Sequence, residues 1–149
     1  LVAAAALLHD IDKALPRKHP CRRLEHGRAG AAWLTEAGHQ ELAPAVADHP
    51  VTRLADDDHW ARWSAEATLE ARLVAYADKR ATQDLVPMAE RFAEWRRRYP
   101  QQGATTDKAE ARALELEAQV CRAAGMRPEQ VSRLAWAQLE LDQASAAGR

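Results

Sequence analysis

Cysteine is nearly missing from this chain. Cys21 and Cys121 are the two present, and no CxxC pair occurs. That excludes a thiolate zinc ribbon, argues against a structural disulfide, and suits a reducing cytoplasm. One Phe and one Ile stand in the whole sequence, and β-branched residues are sparse throughout, so there is little to furnish a pleated sheet. Charge of one sign is not in excess: the formal net charge is -1, and no overall basic field exists to hold a nucleic acid. The opening "LVAAAALL" is far too short to span a membrane. It also lacks the basic lead-in and cleavage context of a signal peptide.

What the chain does have is alanine, leucine, glutamate and arginine, with hydrophobic residues at 47% of 149. This is helix-forming material in a length that suits one domain with a real core. The fold class expected is all-α, a helical bundle. A helix is predicted from Leu1 to about Lys13, stopped before Pro16. "PRKHPCRR" reads as a basic loop, carrying Arg17, Lys18, Arg22 and Arg23. A second helix runs from about Arg23 to Ala37, closed by Gly38. A third runs from about Gln40 to Asp48 and ends at His49-Pro50, because the residue before proline avoids the α region. "VTRLADDDHWARWSA" reads as a loop or short helix. Helix returns from Thr68 to Ala81, with Leu69, Leu73 and Ala77 on one face, and again from Pro87, with the core stripe Met88, Phe92, Trp95 and Tyr99. After the "PQQGATT" linker, Asp107 and Glu110 are placed to form a capping box for a helix ending at Gly125. Pro128 opens a last helix bearing Val131, Leu134, Ala135, Trp136 and Leu139. The expected division is a core over residues 1–102 and a C-terminal helical extension over 103–149, which packs on the core or mediates self-association.

Chemistry concentrates in "LLHDIDK". An apolar helix face ends in His9 and Asp10, and burying ionisable groups is costly unless something pairs with them. A capped helix end is one explanation and a metal ion is another. His26 opens the second helix, His49 closes the third, and Asp78 interrupts the apolar face of the fourth. In an antiparallel bundle such ends and faces can meet in one cleft. Imidazole plus carboxylate without thiolate suits Mn, Fe, Co or Ni better than Mg or Zn. His19, His39 and His59 are expected to be exposed.

Taken in order, "LLHDIDK", "EHGRAGAAWL", "ADHP" and "LVAYADKRATQDL" resemble the HD superfamily of metal-dependent phosphohydrolases, whose signature is His … His-Asp … Asp in a helical bundle. The resemblance covers roughly residues 1–99. It implies that His9, Asp10 and Asp78 hold one divalent metal ion and that Asp10 bridges to a second, held by His26 and His49. It further implies that a metal-activated water attacks a phosphomonoester or phosphodiester of a small nucleotide-like substrate. Asp10 and Lys13 would be the catalytic pair, with Lys13 stabilising phosphate charge or protonating the leaving group. Arg80, Arg17 and Lys18 would bind substrate phosphate, with Lys79 a further candidate; ordinary solvated charges are the alternative for all of these. The family's first histidine lies upstream of His-Asp and is not among these residues, so the native protein is expected to carry a further helix, and a homodimer is a possible state. "HDIDK" also lacks the glycine that follows isoleucine in many HD phosphodiesterases. A competing expectation is a non-catalytic HD module that binds a nucleotide or partner and regulates an attached domain. No membrane association is expected.

Overall fold

The computed structural model describes residues 1–82, 84–134 and 143. Among them no strand is formed, and an isolated bridge pairs Ala81 with Leu85. The protein is all-α, as its composition requires. The chain divides into two units, Leu1–Asp78 and Lys79–Arg149. The division expected from sequence falls after residue 102 instead. The helices on either side of the "PQQG" stretch pack against each other and belong to the same unit.

The first unit holds α1 (Val2–Leu8), α2 (Ile11–Ala14), a 3-10 turn (Pro20–Arg23), α3 (Arg28–Glu36), α4 (Ala43–Ala47), α5 (Val51–Ala55), α6 (Asp57–Glu66) and most of α7 (Leu69–Arg80). The single helix expected over Leu1 to Lys13 is broken at His9-Asp10, where Asp10 leaves the helical region at φ -100°, ψ 14°. The break lets two ionisable side chains turn off an apolar helix face. α3 starts later than expected, behind Gly27 at φ 83°, ψ -57°. At this glycine a Cβ would lie 2.6 Å from the Ala47 carbonyl oxygen and under 3 Å from the Pro50 ring. The stretch expected as a loop or short helix forms α5 and α6, because the Asp56 carboxylate accepts from the His59 backbone N–H at 2.9 Å and caps α6.

Ala5, Leu34, Leu42, Ala45, Val46, Ala71 and Val74 make the core of this unit, with Ile11 and Trp33 packed on its edge. The buried stripe of α7 is Ala71, Val74 and Ala75, while Leu69 is exposed and Leu73 and Ala77 only half-buried. The expected face is thus rotated. Asp78 falls one turn beyond Val74 and so continues the inward stripe.

The second unit holds the end of α7, then α8 (Met88–Arg98), a 3-10 turn (Pro100–Gln102), α9 (Gly103–Ala123) and α10 (Pro128–Val131). Met88 and Phe92 are buried, and Trp95 meets Phe92 edge-on at 4.8 Å, but Tyr99 is exposed. On α9, Ala109, Ala113, Leu116 and Val120 form the buried seam. The expected capping box at Asp107 and Glu110 does not form. α9 begins four residues earlier, and Arg96 of α8 takes both carboxylates instead. Ala135, Trp136 and Leu139 lie outside the described residues. No described helix is long and apolar enough to cross a membrane.

Candidate metal centre

Five side chains from four parts of the first unit converge around Asp10. His9 and Asp10 come from the break between α1 and α2. His26 comes from the turn before α3, His49 from the turn after α4, and Asp78 from α7. Asp10 Oδ1 lies 3.2 Å from His26 Nε2 and 3.6 Å from His49 Nε2, and these two nitrogens are 3.1 Å apart. His9 Nε2 lies 3.5 Å from both Asp10 Oδ2 and Asp78 Oδ1. The rings of His9 and His26 each stand nearly perpendicular to that of His49, with centroids 4.8 Å away.

The opposite nitrogen of each ring explains the arrangement. His9 Nδ1–H donates to the Ala6 carbonyl and His49 Nδ1–H to the Val46 carbonyl, both at 2.7 Å. His26 Nδ1–H donates to the Asp12 carboxylate at 3.0 and 3.1 Å. In each neutral ring the Nε2 atom is then a bare lone pair. Three imidazole lone pairs therefore face carboxylate oxygens, which are also acceptors. Asp10 Oδ1 is buried with no hydrogen-bond donor, a costly state for a carboxylate oxygen.

A divalent cation resolves this conflict. Metal–nitrogen and metal–oxygen bonds of about 2.1 Å put neighbouring ligand atoms about 3.0–3.4 Å apart in octahedral or tetrahedral sites. His26 Nε2 lies within that range of both Asp10 Oδ1 and His49 Nε2, and the Asp10–His49 separation of 3.6 Å is slightly longer. The residues present fit such an ion: nitrogen-rich, carboxylate-bearing, already turned to ligating tautomers, with an orphaned acceptor at the centre.

A proton competes for the same position: the Asp78 hydrogen bond raises the His9 pKa above its usual value, against the effect of burial. Burial pushes Asp10 up, but the Lys13 hydrogen bond, with the charges of His9, Lys13 and His26, more than offsets it and keeps the carboxyl below the usual range. Lys13 Nζ is 2.7 Å from Asp10 Oδ2, yet most of its side chain is open to solvent.

Other expected site residues are placed differently. Arg17 and Lys18 stand exposed on the turn after Pro16, and the structure does not bring them onto the five converging side chains. Arg80 is buried: its guanidinium donates to the Val86 carbonyl at 2.6 Å, to Ser132 Oγ at 2.9 Å and to the Glu117 carboxylate. These are the contacts of a structural arginine, and its expected use as a phosphate ligand loses its support. Lys79 is wholly buried as well. His59, expected at the surface, is buried, accepting from Arg53 Nη2 at its Nδ1. Asp12 was not singled out by its sequence at all, although the alternation of Asp10 and Asp12 around the helix break was the available sign.

Nothing among curated proteins or solved structures matches the chain. One family model does, the HD domain, over residues 1–83. That span is more than half of the sequence and contains all five converging side chains. The family is largely one of hydrolases, its members bind divalent metals, and the chain belongs to the HD domain family.

Proposed function

We propose that this protein is a metal-dependent phosphohydrolase cleaving a phosphomonoester or phosphodiester of a small nucleotide-like substrate. The observation that carries the reading is the meeting of the His9, His26 and His49 Nε2 lone pairs with the carboxylates of Asp10 and Asp78. His9, Asp10 and Asp78 would hold one ion, and Asp10, His26 and His49 a second. The imidazole-rich set favours Mn, Fe, Co or Ni over Mg. When bound, a divalent ion supplies Lewis acidity toward phosphate oxygen and lowers the pKa of water to near neutrality.

The chain's own residues provide the rest. Asp10 offers one oxygen to each half of the centre, which orients both. Lys13 holds a solvent-accessible ammonium against Asp10 at the edge of the centre, where it could bind a substrate phosphate oxygen or give a proton to the departing alkoxide. The exposed Arg17 and Lys18 would add attraction for an anionic substrate at long range.

The test is metal analysis of the purified protein alongside turnover of p-nitrophenyl phosphate, bis-p-nitrophenyl phosphate and a nucleotide panel. Asp10→Ala is expected to lose metal and turnover together, while Lys13→Met keeps the metal and loses turnover by about 10²–10⁴-fold. An Asp10→Ala protein that still holds metal and hydrolyses the probes would refute the assignment. A metal-loaded wild type inert on every substrate would favour a regulatory HD module instead.

A further inference from the structure

We infer that Asp12 is a positioning residue of the metal centre: its carboxylate holds His26 in the ligating orientation, and ion affinity at the His26–His49 half depends on it. The inference rests on the metal reading above and concerns a residue outside the ligand set.

A buried carboxylate is expensive unless paired. Asp12 is only 8% exposed, and the described hydrogen bonds of its carboxylate both go to His26 Nδ1. The backbone is arranged to permit this. On α2 Asp12 faces inward although Lys13 and Ala14 beside it are exposed. Opposite it, α3 presents Gly30, where an added Cβ would lie 3.7 Å from Asp12 Oδ1 and 3.3 Å from Ile11 Cγ2. The absence of a side chain there lets α2 and α3 approach.

His26 needs this support more than the other two histidines. The His49 side chain is 1% exposed and the His9 side chain 26%, and both hang on backbone carbonyls that cannot move independently of a helix. The His26 side chain is 36% exposed and is carried on the turn before α3. Without Asp12 the imidazole is free to rotate or to protonate on Nε2, which removes the lone pair aimed at Asp10 Oδ1. A carboxylate partner also makes the ring a more basic ligand than a carbonyl partner does.

Two readouts test the inference. Long-range ¹H–¹⁵N NMR of the metal-free protein is expected to show His26 protonated on Nδ1 in wild type and in Asp12→Asn, and on Nε2 or mixed in Asp12→Ala. Titration with Co²⁺, followed by its visible spectrum, is expected to show affinity reduced about 10-fold in Asp12→Asn, which keeps an acceptor oxygen without the charge, and up to about 100-fold in Asp12→Ala. His26→Ala serves as the reference for loss of the ligand itself. Unchanged Co²⁺ affinity in both Asp12 variants, with His26→Ala impaired, would overturn Asp12's role and leave the metal centre standing. Failure of wild type to bind Co²⁺, Mn²⁺ or Fe²⁺ would remove the centre and the inference with it.

Discussion

Gly27 is the point where the backbone has least freedom to accept a side chain, and Gly27→Ala should show it. Its φ of 83° with ψ of -57° is a region that L-residues rarely adopt, at a cost of about 1–3 kcal/mol. The new Cβ would also meet the Ala47 carbonyl oxygen at 2.6 Å and the Pro50 ring at 2.8 and 2.9 Å. These atoms are backbone or a rigid ring, so relief requires α3 to move from the end of α4, at about 1–3 kcal/mol more. The expected loss of stability is about 2–6 kcal/mol in all. Gly38 is the internal control: its φ is 86°, yet a Cβ there meets nothing within 4 Å. Gly38→Ala should cost only the conformational part, about 1–2 kcal/mol. Urea denaturation with chelator present measures both without any contribution from bound metal. Gly27 separates His26 from α3, and Ala47 and Pro50 flank His49 across Asp48. The same displacement therefore pulls the two Nε2 atoms off their 3.1 Å spacing and should weaken metal binding in Gly27→Ala alone. Equal losses in the two variants, or Gly27→Ala with wild-type metal affinity, would refute the reasoning.

Two further outcomes follow from buried charges. Glu117→Ala removes the buried carboxylate to which the Arg80 guanidinium donates, and denaturant unfolding should show a loss of up to about 3–5 kcal/mol; a loss within about 0.5 kcal/mol would mark the pair as no more than a surface contact. His59 is held below its ordinary value of 6.5 by burial, with Arg53 adding to the effect against Asp48 and Asp56. Its neutral form is favoured on folding, so the unfolded chain takes up the proton first. The stabilisation is complete above pH 6.5 and is lost as pH falls from there through the lower folded pKa. Urea midpoints between about pH 5 and 7.5 should fall more steeply with acid in wild type than in His59→Gln, and parallel profiles would remove His59 as a cause.

Four of the five converging side chains were legible because each marks a discontinuity in an apolar pattern: His9 and Asp10 end a greasy run, His49 precedes a proline, and Asp78 interrupts the face expected of α7. The residues that were misread owe their environment to partners distant in sequence. Arg80 follows Asp78 and looks like surface charge, but Glu117 and Ser132 claim it from far along the chain. Asp107 and Glu110 have the spacing of a capping box, and Arg96 overrides that local preference. Asp12 marks no such discontinuity: its partner His26 lies 14 residues further along the chain.

His9 lies just after the first helix of the first unit and Asp78 closes that unit, and in the fold His9 Nε2 and Asp78 Oδ1 are 3.5 Å apart. An ion gripped by both would act as a reversible clasp across a loop of about 70 residues. By the chain-entropy relation used for disulfides, closing such a loop is worth about 4 kcal/mol. A chain nearly devoid of cysteine would thereby gain the kind of tether that sulfur gives elsewhere, fastened when metal is plentiful and undone by a chelator. Protease resistance of this unit should then track metal supply, making its lifetime a record of the ions around it.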